Sequence, residues 1–267
     1  MQIYAVANQK GGVGKTTSAI TMAGILSQAG YRVLLLDLDP HGSISYHFGY
    51  NLDHDEIGTV PLFKQELGRL EVTEQVKRTN FINLFIIPAS PGLATLDRQY
   101  ANRRGGGLVI KKSLFYLSDR FDYVIMDCPP VIGILMINAL AACDHLLIPV
   151  QTEYLAVHGV ERMVKTVKII EHSIRKSLSY TIVPTLYDKR TKAAHLSLEM
   201  LLARFKENVW RGVVPIDTQF REASMAGVPL SFLNSKSRGV LAYKQLLEDM
   251  YQHQLRLSEQ MIATLPA

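Results

Sequence analysis

Short apolar runs alternate along this chain with longer stretches in which apolar positions recur every three or four residues. Ile3–Ala7, Val33–Leu36, Val124–Met126 and Leu146–Val150 are the clearest of the short runs, and each reads as a buried strand. The full pattern predicts strands near 2–8, 31–37, 83–88, 122–127, 145–150, 180–186 and 209–214. Helices are expected over roughly 15–29, 108–119, 132–142, 155–173, 193–206 and 239–262, with shorter ones near 92–102 and 219–226. Strand and helix in alternation predict an α/β fold: a doubly wound, mainly parallel sheet with helices on both faces. The stretch 40–80 fits no period, because Gly42, Gly49, Gly58 and Pro61 interrupt its short apolar groups, and it is assigned no element. Arg103-Arg104-Gly105-Gly106-Gly107 reads as an exposed turn before a helix, since consecutive glycines resist helix formation.

Composition narrows the class without changing that picture. The 267 residues are 48% hydrophobic and 20% charged, enough to bury a substantial core, and no Pro/Gly/Ser-rich linker divides them. A single domain over 1–267 is expected. The apolar runs fall far short of the roughly 20 residues that cross a bilayer, so no transmembrane helix is expected. Met1 leads straight into a strand, which leaves no room for a cleavable signal, and a cytoplasmic protein is expected. Cys128 and Cys143 are the only cysteines and form no C-x-x-C pair, so both are expected to be buried, reduced thiols rather than a disulfide or zinc site. The net charge of +5 is uneven: residues 160–267 hold 16 Lys/Arg against 10 Asp/Glu, and residues 1–159 hold 13 against 14. A basic C-terminal part attracts nucleic acid or an acidic partner, or is simply a solvated surface.

The chemistry begins directly after the first strand. Asn8-Gln9-Lys10-Gly11-Gly12-Val13-Gly14-Lys15-Thr16-Thr17 separates a strand from a helix and is rich in glycine. Gly11, Gly12 and Gly14 let successive backbone N–H groups turn toward phosphate oxygens, with the positive end of the following helix behind them. Lys15 can reach the β- and γ-phosphates of a nucleotide, and the Thr16 hydroxyl can bind Mg²⁺. The common pattern G-x-x-x-x-G-K-[ST] requires glycine where this chain has Gln9, and Lys10 is an added cation. Two further strands end in acids, Asp37-Leu38-Asp39-Pro40 and Asp127-Cys128-Pro129-Pro130. In an open α/β sheet ligands bind at the carboxyl ends of strands, so these acids lie beside the loop if the strands run parallel. Taken alone, either pair also reads as a structural cap.

Lys10-Gly-Gly-Val-Gly-Lys-Thr-Thr resembles the deviant Walker A loop of the ParA/MinD family of partitioning ATPases. The likeness continues through Asp37-x-Asp39-Pro40, Phe121-Asp122-Tyr123…Asp127, Ile148-Pro149-Val150-Gln151-Thr152-Glu153-Tyr154, Val214-Pro215…Arg221-Glu222-Ala223 and Ser237-Arg238-Gly239…Ala242-Tyr243. The resemblance implies slow, partner-stimulated hydrolysis of ATP to ADP and phosphate with Mg²⁺, in a homodimer formed on ATP binding. It casts Lys10 as a lysine that reaches the partner's nucleotide and Asp39 as the residue that positions the attacking water. Asp127 becomes the acid that binds Mg²⁺ through water, with Thr16 as a ligand and Asp37 in support. The loop from Lys10 through Gly11, Gly12, Val13, Gly14, Lys15, Thr16 and Thr17 holds the phosphates, and the segment around Pro215 holds adenine. No N-K-x-D or T-K-x-D motif that would read guanine occurs, which favours ATP over GTP.

The resemblance also implies a ParB-like or other activating adaptor and a cargo: a plasmid, a chromosome origin, or a protein assembly such as a polar or chemosensory array. A nucleoid- or pole-associated protein would follow. Members that bind DNA nonspecifically carry an arginine where this chain has Gln219, which weakens a DNA-binding expectation and shifts it toward protein cargo, with Arg221, Lys236 and Arg238 nearby. D-P-Q-G-N of many members is Asp39-Pro40-His41-Gly42-Ser43 here, and no helix-turn-helix segment precedes the first strand. A MinD-like membrane-associated regulator is the alternative. Such proteins end in a basic amphipathic helix, whereas Tyr243–Ala267 mixes Glu248, Asp249 and Glu259 with few cations, so membrane binding is not expected. A nitrogenase-like reductase shares the lysine loop but needs two cluster-binding cysteines, and no cysteine precedes Cys128.

Overall fold

The computed structural model describes residues 1–50, 57–63, 67–100 and 105–263. Its centre is a seven-stranded sheet in the order β3-β4-β2-β5-β1-β6-β7. The strands are β1 (Gln2–Val6), β2 (Val33–Asp37), β3 (Lys77–Arg78), β4 (Leu84–Ile87), β5 (Tyr123–Asp127), β6 (His145–Gln151) and β7 (Ser179–Thr185). All neighbours pair in parallel except β3, which runs antiparallel to β4 at the sheet's edge.

The continuous apolar runs of β1, β2 and β5 exist because both faces of each strand are covered, as parallel sheets require. Leu34, Leu36, Val124 and Met126 point to one face, against the helices Leu93–Tyr100, Val109–Phe115, Ile134–Ala142 and Ala156–Ile174. Val33, Leu35 and Ile125 point to the other, under α1 (Lys15–Gln28) and the C-terminal helix Arg238–Ala263. Burying one such side chain stabilises the fold by about 1.5–3 kcal/mol.

Register does the work that matters for the site. Val6 of β1 lies beside Asp127 of β5, and Asp127 lies beside Asp37 of β2. The loop that follows β1 therefore opens at the same carboxyl edge as both acids.

Two expectations fail. Residues 209–214 are not a strand: Val209 and Pro215 make only isolated bridges to Ile182 and Tyr187. Trp210 N–H and Val214 N–H still donate to the carbonyls of Ile182 and Pro184, at 3.0 and 2.8 Å. Between those contacts the backbone leaves the ladder at Gly212, over which the Trp210 indole folds so closely that a Cβ would lie 2.3 Å from the ring. Nor are all three glycines of 105–107 an exposed turn. Gly105 turns the chain at φ 77°, but Gly106 is buried at the start of a short 3-10 helix and its carbonyl accepts the Asn138 amide at 2.8 Å. Arg103 and Arg104 lie outside the described residues.

The stretch 40–80 contains α2 (Ser43–His47), the helical turns Thr59–Leu62 and Arg69–Glu74, and β3. These elements are too short to show a period. What holds them is tertiary: the Thr59 hydroxyl donates to the Asp37 carbonyl at 2.8 Å, and Ser45 bonds the Asp37 carboxylate.

Candidate active site

The loop after β1 is shaped by backbone conformations that favour glycine. Gly12 has φ 73° and Gly14 φ 90°, in the left-handed region, and a Cβ on either would meet nothing within 4 Å. The loop is anchored from outside: Val13 is fully buried, and its carbonyl accepts the Thr185 hydroxyl from the end of β7 at 2.8 Å. On the other side the Asn8 amide donates to the Pro149 carbonyl of β6 at 2.7 Å and its oxygen accepts Lys10 N–H at 3.1 Å. Lys15 opens α1 and folds back over the loop, donating to the Lys10 carbonyl at 3.2 Å.

Lys10 points elsewhere. Its ammonium pairs with Glu153, just beyond the end of β6, and both side chains are more than a third exposed. Tyr154 and Leu155 beside it are largely exposed, as are Val131 and Ile132 beyond the β5 acid. The first lysine of the loop, Lys10, thus faces outward, on a surface with apolar neighbours.

The acids divide their duties. The Thr16 hydroxyl donates to Asp127 Oδ2 at 2.6 Å, while Asp127 Oδ1 is buried without a partner among the described residues. Burial first, and the neighbouring Asp37 charge second, hold the Asp127 carboxyl well above the usual carboxylate range. Asp37 is pushed up to about 6 by burial, although Ser45 and Asp39 donors oppose the shift. Its Oδ2 accepts both the Ser45 N–H at 3.0 Å and hydroxyl at 2.7 Å, and its Oδ1 accepts Asp39 N–H at 3.2 Å. Asp37 is therefore bonded to the turn and α2, and makes no bond to the loop threonine. Asp39 is buried and accepts the His41 N–H at 3.0 Å, with the His41 ring nitrogen at 2.8 Å from the same oxygen.

This arrangement fits Mg²⁺ and a nucleotide. Among the described residues no cluster of three acids, histidines or cysteines forms a cage of protein ligands alone. Mg²⁺ commonly takes one or two carboxylates, water and the substrate's own phosphates, and the orphaned Asp127 oxygen beside Thr16 suits that donor set. A cavity of about 310 Å³ adjoins the loop between Gly14, Thr17, Pro215, Phe220 and Tyr243. Its ring and proline walls suit a flat heterocycle.

The phosphate loop Lys10–Thr17, the acids Asp37, Asp39 and Asp127, and Pro215 stand at this one edge of the sheet. Sequence reasoning missed Glu153, Ser45 and Thr185. Glu153 and Thr185 carry a signal that was available, since each lies at or just past the carboxyl end of a parallel strand. Ser45 carries none, because its role depends on where α2 docks. Cys128 and Cys143 are buried and unpaired, as expected.

A family model described as an AAA domain matches residues 1–180. The chromosome-partitioning ATPase Soj of Treponema pallidum is 34% identical over 244 residues, covering 91% of this chain and 94% of Soj. The chromosome partitioning protein ParA of Myxococcus xanthus is 34% identical over 246 residues, covering 92% and 86%. Among solved structures, cobyrinic acid a,c-diamide synthase from Mycobacterium smegmatis with bound ADP and magnesium aligns at a TM-score of 0.81 with 29% identity, covering 95% of each chain. The synthase shows that this fold serves more than one chemistry. The relatives aligned along nearly the whole chain, the glycine loop with its two lysines and the acids at the ends of β2 and β5 together decide the assignment: the chain belongs to the ParA/MinD family of partitioning ATPases.

Proposed function

We propose that this protein is an ATP-dependent partition or positioning switch, in which Mg·ATP joins two subunits and hydrolysis, stimulated by an adaptor, releases them. One observation carries the reading: Lys15 folds over its own loop whereas Lys10 faces outward to Glu153, so Lys10 has no task at its own subunit's phosphate site. Across a dimer it would meet the partner's nucleotide.

Within one subunit the N–H groups of Gly11 to Thr17 and the Lys15 ammonium would bind the phosphates, and Thr16 and Asp127 would hold Mg²⁺. When bound there, Mg²⁺ would supply charge neutralisation at the phosphate oxygens. Asp39, held by His41, orients the water that attacks, and Asp37 fixes the turn that carries Asp39 against α2. The segment around Pro215 receives the adenine. Positioning and charge neutralisation supply most of phosphoryl transfer, so slow basal turnover is expected until an adaptor completes the site.

The cargo reading leans toward protein. Gln219 is a neutral side chain where the DNA-binding members carry a cation, and its oxygen accepts the Asn234 amide at 2.8 Å. Arg238 reaches the Ile216 carbonyl. No helix among the described residues is long and apolar enough to cross a membrane, and the C-terminal helix buries Val240, Tyr243, Leu246 and Met250 rather than presenting them. That favours the partition switch over the membrane-associated alternative.

Sedimentation velocity of wild type and Lys10→Ala with Mg·ATP, alongside binding of a fluorescent ATP analogue, tests the proposal. Wild type should bind and dimerise, and Lys10→Ala should bind and stay monomeric. A Lys10→Ala protein that dimerises like wild type would overturn the cross-subunit role.

A further inference from the structure

The C-terminal helix reaches the phosphate loop through one buried side chain. Tyr243 is 1% exposed, and its hydroxyl lies 2.6 Å from the Ser18 hydroxyl on the first turn of α1. Ser18 in turn donates to the Gly14 carbonyl at 2.7 Å. A carbonyl offers no proton, so the Ser18 hydrogen is committed to Gly14 and the Tyr243 hydroxyl must be the donor to Ser18. The order is therefore Tyr243 O–H to Ser18 Oγ, and Ser18 O–H to the Gly14 carbonyl. Burial also pushes the phenol upward, which keeps it protonated.

The end of this relay is a peptide plane. The Gly14–Lys15 peptide is trans, so the Gly14 carbonyl and the Lys15 N–H point in opposite directions. A carbonyl held toward α1 by Ser18, through its N–H at 2.8 Å as well as its hydroxyl, turns the Lys15 N–H outward to the mouth of the loop. Gly14 at φ 90° has no side chain of its own to resist a flip of that plane. The same Tyr243 lines the 310 Å³ cavity beside Pro215 and packs against Phe220, ring centroids 6.2 Å apart.

We propose that Tyr243 is a positioning residue for the phosphate loop: through Ser18 it fixes the Gly14–Lys15 peptide with its N–H toward the phosphates, and it couples occupancy of the adjoining cavity to that alignment. The proposal rests on the reading of this loop as a nucleotide site. A phenylalanine would fill the same apolar surroundings, so the hydroxyl serves the relay rather than the packing. The helix also carries Asp249, which accepts the Trp210 indole N–H at 2.7 Å, so the single tryptophan reports on the same helix.

The test measures affinity for a methylanthraniloyl ADP with Mg²⁺ in wild type, Tyr243→Phe, Ser18→Ala and the double variant, with melting temperatures in parallel. Leu246→Ala, on the same helix and buried in the same core but outside the relay, is the control for mere loosening. Loss of one such hydrogen bond predicts about three- to tenfold weaker binding in each single variant. The double variant should be no weaker than the weaker single, and Leu246→Ala should lower the melting temperature without a matching loss of affinity. Nucleotide should shift Trp210 fluorescence in wild type and shift it less in Ser18→Ala. Equal affinity of Tyr243→Phe and wild type, or additive losses in the double variant, would overturn the relay alone. A wild type that binds no nucleotide overturns the underlying site and the relay with it.

Discussion

Glu153→Gln offers a quantitative handle on the outward-facing lysine. In the single subunit Lys10 pairs with Glu153, and this pair must open before Lys10 can serve a second subunit. The two side chains are 41% and 37% exposed, so the pair belongs with solvent-exposed ion pairs, worth about 0.2–1 kcal/mol each. A symmetric dimer opens two of them, so removing the Glu153 charge should favour dimerisation by about 0.4–2 kcal/mol, or roughly two- to thirtyfold in the association constant. Sedimentation velocity over a range of protein concentrations with Mg·ATP measures this, in an Asp39→Ala background that keeps ATP intact. The gain should shrink between about 0.1 and 1 M salt, as the screening length falls from about 10 to about 3 Å. A Glu153→Gln protein that dimerises no better than its parent, or whose gain is independent of salt, would refute this role of the Lys10–Glu153 pair.

Other changes probe different links. Asp39→Ala should bind Mg·ATP and dimerise yet release no phosphate over basal background, as read by a phosphate-release assay and sedimentation; retained turnover would remove Asp39 from water positioning. Gly24→Ala should destabilise by about 1–2 kcal/mol in urea unfolding despite alanine's helix preference of about 1 kcal/mol, because the new Cβ would lie 2.6 Å from Ser231 Oγ and 2.8 Å from Pro229 Cβ. His145 is lowered to about 4, first by burial, so above about pH 6.5 it is neutral in both folded and unfolded chains and adds no pH dependence. Between about 6.5 and 4 the unfolded chain takes up the proton first, so this residue removes roughly 2–4 kcal/mol of stability as pH falls. Asp37, raised to about 6, acts in the opposite sense, since its folded-state proton adds stability as pH falls through that value. His145→Gln should therefore gain stability relative to wild type at pH 5 compared with pH 7, and an unchanged difference between the two would contradict the assignment.

Much of the site was legible before the fold was known, for a local reason. A strand, a glycine turn and a helix are formed by residues adjacent in sequence, so Gly11 to Thr17 declare a phosphate loop without any distant contact. The acids at 37, 39 and 127 were legible by a weaker rule, that parallel strands present their carboxyl ends together. The stretch 209–214 was misread because a Trp–Gly pair that folds back on itself has the same apolar profile as a strand.

What the sequence determined by itself was the alternation of elements, the loop and the identity of its lysines, because each depends on spacing along the chain. What only the tertiary structure decided was which partner each polar or charged group takes. Lys10 lies with Glu153, Asp37 with Ser45, and Tyr243 beneath Ser18, across separations of 143, 8 and 225 residues. Those pairings follow from strand order and helix docking, which bring together positions that no local period relates. Hydrogen bonds and ion pairs act over a few ångströms in space and carry no memory of distance along the chain.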